Sequence, residues 1–301
     1  LQRTVLAGAD KDVAIVHLIT RAKGRQRLID ELQRVLGAAE DWRVSLLPID
    51  TSLPLRPDDE EGAASTADRT NQTREELANS ISAGAALTPD FAWMTALAAI
   101  VAAAGWINDN TAVVIGAMVI APLLAPNIAL ALGAALGSAK LVLRGAKALG
   151  VGVLLSVPLG YVLAFVLGAH TLTHELSLRE SVGPESALLA LASGAAAALS
   201  ITAGTSMSLV GVMVAVALLP PAVTIGICAE LRDWPGGLGA AGLLIVNIAA
   251  VNLAAHAVFF YRGVRPKTWL EQRAASQSTL LSAALWLALL AGALAAAFVL
   301  R

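Results

Sequence analysis

"NDNTAVVIGAMVIAPLLAPN", residues 108–127, runs a polar triplet into an apolar stretch that meets two prolines four positions apart. Each proline removes an amide donor and crowds the carbonyl four residues earlier, so a helix written in these letters is expected to break. Nearly a hundred residues later "GVMVAVALLPPA", residues 211–222, repeats the phrase. Aligning Gly116 with Gly211 pairs Met118 with Met213, Val119 with Val214, Leu123 and Leu124 with Leu218 and Leu219, and Pro126 with Pro221, at a constant offset of 95. Inside lipid, carbonyls freed by Pro122, Pro126, Pro220 and Pro221 need a protein partner, water or a bound solute.

The charge pattern says that lipid is the right medium. Of 43 charged side chains, 26 precede Phe91 and only 17 are spread over the remaining 211 residues. Uncharged apolar runs of about 20 residues, the length that crosses a bilayer, fill that second part. Seven spans are expected, at 91–107, 111–136, 148–169, 186–203, 207–229, 238–261 and 279–300. The fourth, rich in Ala, Gly and Ser, is the least apolar and is expected inside the bundle. The two proline motifs fall in spans two and five, which cross in opposite directions. That is the pattern of a three-plus-three inverted repeat followed by a solitary seventh helix, an architecture in which transporters hold their solute near the midplane.

Orientation follows from the basic residues. With the N-terminus in the cytoplasm, inward connections carry Lys140, Arg144, Lys147, Arg262, Arg265, Lys267 and Arg273, against Arg179 and Arg232 outside. A net charge of −1, with no long basic cluster, argues against a nucleic-acid partner. Cys228 is the only cysteine, which excludes an internal disulfide and any thiolate-rich metal cluster.

The first 53 residues read as a small α/β cytoplasmic domain of ferredoxin-like type: a strand at 13–20, a helix carrying Leu28, Ile29, Leu32, Val35 and Leu36, and a strand at 42–49. Residues 54–72 are acidic and poor in large apolar side chains, as expected of a flexible linker. "TREE" at 73–76 has capping-box spacing and opens a linking helix over 73–88, ahead of the membrane domain at 89–301. The head has no phosphate loop, nucleophile elbow or cluster of His, Cys and carboxylates, which leaves sensing or assembly, with a small-molecule ligand as one option.

Candidate site residues gather around the two breaks. Asn127 follows one and Thr224 the other, while Asn247, Asn252 and His256 lie on span six. Asn247 and Asn252 are about 140° apart around a helix, whereas Asn252 and His256 share a face. Asp109, beside Asn108 and Asn110, suits either an N-cap for span two or a cation-attracting group at an entrance, and Asn110 belongs to the same mouth. Amide donors exposed where a broken helix restarts could hold an anion or the carboxylate of a zwitterion. "GAALG" at 133–137 offers a small-residue contact of the kind used in helix association, in keeping with a homo-oligomer.

"DNTAVVIGAMVIAPLLAP" (109–126), "AVALLPP" (215–221), "TREE" (73–76) and "WRVSLLPIDTSLP" (42–54) together resemble the bacterial and archaeal family called domain of unknown function 389. The resemblance covers most of residues 13–262. It implies a multi-pass protein of the prokaryotic inner membrane with a cytoplasmic N-terminal domain, and it carries over no catalytic residues. It also implies glycine before the proline matched by Pro126 and an aliphatic residue after it; Ala125 and Asn127 stand here instead. The expectation is a transporter or channel for a small polar or anionic solute, without cofactor or enzymatic activity. The alternative is a non-transporting membrane sensor or scaffold.

Overall fold

The computed structural model describes residues 2–7, 14–19, 22–36, 44, 74–168, 183–204, 207–264 and 281–295, without the side chains of 207–216 and of most of the first 26 residues. The chain divides into two compact units, residues 1–75 and 76–301.

In the first unit, β1 (Gln2–Ala7) and β2 (Ala14–Ile19) form an antiparallel hairpin, with Val5 opposite Val16. Helix α1 (Ala22–Leu36) follows, with Ile29 buried and Asp30 bonded by Arg74 at 3.2 Å. The strand expected at 13–20 and the helix after it are therefore present. A hairpin followed by one helix is what the described residues show, and the ferredoxin-like unit, which needs a further strand after that helix, is not shown among them. The strand expected at 42–49 and the linker at 54–72 lie outside the described residues, apart from Val44, which is in neither helix nor strand.

The second unit is helical. It begins with α2 (Arg74–Gly84), which starts in the first unit, and α3 (Pro89–Ile107), which Thr88 caps by accepting from the Phe91 amide at 3.1 Å, with Pro89 at the first helical position. The next span comes in two pieces, α4 (Thr111–Ile120) and α5 (Leu124–Ala135), bent by 53°. Then come α6 (Ala139–Leu167), α7 (Pro184–Thr202), α8 (Met207–Glu230), α9 (Trp234–Tyr261) and a short apolar helix, α10 (Leu281–Ala295). Helices α3, α6, α7 and α9 are each long and apolar enough to cross a membrane, and the bent pair adds a fifth such span. Of the seven expected, the fifth corresponds to α8 and the seventh to α10, whose described 15 residues are shorter than a bilayer crossing.

Caps settle several local questions. Asn110, not Asp109, caps α4, accepting from the Val113 amide at 3.2 Å. Asp109 is held at a φ of 50°, in the left-handed region that Asp tolerates better than most residues, one position ahead of the N-cap. "GAALG" ends α5 and enters the turn to α6: Gly137 has a φ of 66°, and a Cβ on Gly133 would meet Val142 at 2.8 Å. The motif is thus used within the chain, and its small residues serve that turn.

Alanine and glycine make up nearly half of the buried residues, so in places backbones meet almost directly. A Cβ on Gly226 of α8 would lie 2.0 Å from the Val157 carbonyl oxygen of α6, and one on Gly160 of α6 would lie 2.5 Å from that of Val223. Gly194 of α7 likewise rests on Val251 of α9, at 2.6 Å. Helix α7 is not the innermost span. It turns Leu188 and Leu189 outward, and α9 is the more buried of the two. Ala/Gly content marks a close helix contact, not the middle of the bundle.

Candidate functional site

The break is built from residues 121–123. Pro122 cannot donate to the Met118 carbonyl, and Ala121 leaves the helix at an extended ψ of 121°. Helix α5 then restarts behind Leu123 without a side-chain cap. Pro126 sits in its first turn, where a missing amide hydrogen costs nothing. The Leu124 and Ala125 amides reach no carbonyl outside their own helix, and Asn127 N–H donates to Leu123 O at 3.4 Å. Every residue from Leu124 to Ala134 is buried. A helix N-terminus, with its partial positive charge, thus lies inside the unit without a capping group.

Asn127 is fully buried at this end and its Oδ1 accepts from Asn252 Nδ2 at 2.5 Å. The same Asn252 amide donates to Ile248 O at 2.8 Å. What remains over is one donor, Asn127 Nδ2, and one acceptor, Asn252 Oδ1, both buried and without a hydrogen-bond partner. One turn further along α9, His256 is buried with both ring nitrogens unpartnered. The Ala131 carbonyl of α5 faces its ring but lies outside hydrogen-bond geometry. Unmet buried polar atoms each cost on the order of 1–3 kcal/mol, so a group of them along one helix contact calls for an occupant.

The second motif behaves differently. Helix α8 passes through Pro220 and Pro221 without interruption, which corrects the expectation of two broken helices. A bond from a neighbouring helix meets one of the freed carbonyls. Pro221 leaves the Ala217 carbonyl without its helical amide, and Asn247 Nδ2 of α9 takes that carbonyl at 2.7 Å. Asn247 therefore works on α8 while Asn252 works on α5, consistent with their angular separation. Thr224 is fully buried on α8 with its hydroxyl unpartnered. The repeat residues Gly211, Met213 and Val214 have no described side chains, and the two copies differ in backbone course.

Asn247→Ala is expected to destabilise the protein by about 1–2 kcal/mol, the range for a buried bond whose loss strands a carbonyl in the bundle. In a Pro221→Ala background the restored amide can serve Ala217, and the same substitution should cost close to nothing. Thermal unfolding of the four proteins in the cycle measures the coupling directly. Equal costs in both backgrounds would refute the assignment of Asn247 as the proline's substitute donor.

Of the expected site residues, Asn127 and Asn252 come together, with His256 beside them. Asp109 and Asn110 lie in the exposed turn before α4, and Pro122 and Pro126 flank the restart. The Ala217 carbonyl is marked in the sequence only by the proline four positions beyond it, which removes its helical donor. No group of His, Cys, Asp and Glu able to hold a metal occurs among the described residues.

Residues 118–253, which include the break, Asn127 and Asn252, match the family described as Domain of unknown function (DUF389). The chain is also similar to a Methanocaldococcus jannaschii protein, Uncharacterized protein MJ0678, at 31% identity over 277 residues, covering 92% of this chain and 85% of the relative. No solved structure matches.

Proposed function

Taking as premise that the chain belongs to the domain of unknown function (DUF389) family, we propose that it is a membrane transporter or channel for a small polar or anionic solute, held where α5 restarts. The observation that carries this reading is the buried, uncapped start of α5 beside an amide pair with one donor and one acceptor unmet. Those groups suit a solute that offers both an acceptor and a donor: a carboxylate with an adjacent ammonium or hydroxyl, or a hydrated anion.

In this reading the chain crosses the inner membrane of a prokaryote seven times, with its N-terminal domain in the cytoplasm as a regulatory or assembly element and copies associating in the bilayer. The helix directions favour that count. Asn127 meets Asn252 and Ala131 faces His256, so α5 and α9 run the same way at their contact. An odd number of crossings must then intervene, and α6, α7 and α8 supply three. Basic residues at the inward connections support the orientation.

The uninterrupted course of α8 favours a second reading, a sensor or scaffold whose polar residues only fasten helices. Flux distinguishes the two. The purified full-length chain in proteoliposomes, offered a panel of labelled inorganic anions, amino acids, organic acids and polyols, is expected to move at least one class above empty-vesicle leakage. Absence of flux across the whole panel, with protein correctly inserted, would favour the sensor.

A further inference from the structure

Helix α6 is longer than its membrane task requires. Its 29 residues extend about 43 Å at 1.5 Å each, against a hydrocarbon core of about 30 Å. Residues 148–167 carry no charge and suffice for the crossing. The first turns, residues 139–147, accordingly project to the level of the lipid headgroups. Lys140, Leu143, Arg144 and Lys147 recur there at positions i, i+3, i+4 and i+7, which puts them on one helical face.

With Leu87, these four residues line an open groove of about 300 Å³. Three of its five lining residues are cationic and none is acidic. Lys140 lies in the first turn of α6, where the helix end is itself partly positive, and no acid lies in that turn to offset it. The Arg144 guanidinium is oriented by Ser82, donating to its hydroxyl and, at 3.4 Å, to its carbonyl. No ion pair to Lys140, Arg144 or Lys147 occurs among the described residues. Leu87 and Leu143 are about half exposed at the same groove, 48% and 55%.

We propose that the Lys140–Arg144–Lys147 groove binds the phosphate headgroup of an anionic phospholipid, with Leu87 and Leu143 against the first carbons of its acyl chains. Charge complementarity selects an anion, and the exposed leucines at headgroup depth select one that is attached to lipid. A soluble phosphate would leave both leucines in water.

The test uses the full chain in neutral detergent, incubated with phosphatidylglycerol, phosphatidylcholine or inorganic phosphate, with retained lipid counted by native mass spectrometry. Wild-type protein is expected to retain phosphatidylglycerol well above phosphatidylcholine, with inorganic phosphate at equal concentration competing weakly. Lys140→Gln/Lys147→Gln should weaken that retention roughly twenty-five-fold, about fivefold for each cation removed. Lys140→Arg/Lys147→Arg should keep it. Equal retention of both lipids, an unchanged Gln variant, or full displacement by inorganic phosphate would each overturn the proposal.

Discussion

Gly226→Ala is expected to leave little folded protein, because the added methyl group has nowhere to go. Its carbon would lie 2.0 Å from the Val157 carbonyl oxygen and 2.8 Å from the Tyr161 amide nitrogen, both backbone atoms of α6. Overpacking a core with movable side chains costs about 1–3 kcal/mol. Here two helices must separate, so roughly 3 kcal/mol or more is expected, a large part of the roughly 5–15 kcal/mol that holds an ordinary domain together. Gly150→Ala in α6 is the control. No atom lies within 4 Å of a Cβ there, and the better helix former should be neutral or stabilising by up to about 1 kcal/mol. Monodisperse yield in detergent and the unfolding midpoint report both effects. A Gly226→Ala protein that melts like wild type would show that α6 and α8 do not meet at this point.

The second large effect is functional. Asn127→Leu is expected to cut solute flux in proteoliposomes more than tenfold, since it removes the unmet donor at the restart of α5 and puts an apolar chain of similar size in its place. Folding should survive, because Asn252 keeps its bond to Ile248 O at 2.8 Å. Asn252→Leu should do the same from the other side of the pair. Asn247→Leu, whose amide is spent on the Ala217 carbonyl, should lower the unfolding midpoint and leave flux per folded protein unchanged. If Asn127→Leu conducts normally, the solute does not pass the amide pair.

Much of this arrangement is legible in the letters, where the governing interactions are local. The break at Pro122 follows from a missing donor within a single helix, and the spans follow from uninterrupted apolar runs. The amide pair could be anticipated only as two polar residues without partners, because helix order and rotation decide whether Asn127 and Asn252 meet. Pro220 and Pro221 mislead for the complementary reason: the donor that takes the carbonyl freed by Pro221 belongs to α9, and no pattern within α8 reports it. In the triplet Asn108, Asp109, Asn110 all three side chains are capable caps, and the role falls to Asn110, with Asp109 one position ahead of it at a backbone φ of 50°, a property of the turn. The fourth span departs from expectation because small residues identify where helices touch and say nothing of what lies on the opposite face.

The closely apposed backbones at Gly160, Gly226 and Gly194 also bear on tolerance to change. A protein whose interior is stacked with leucine and phenylalanine suffers most when a bulky group is shaved away. This one has little to shave along these seams, and any enlargement pries two rods apart along their whole length. A saturation library should therefore give a profile the reverse of the familiar one, permissive to trimming and intolerant of growth, with the sharpest losses tracing the lines where two helices touch without side chains between them.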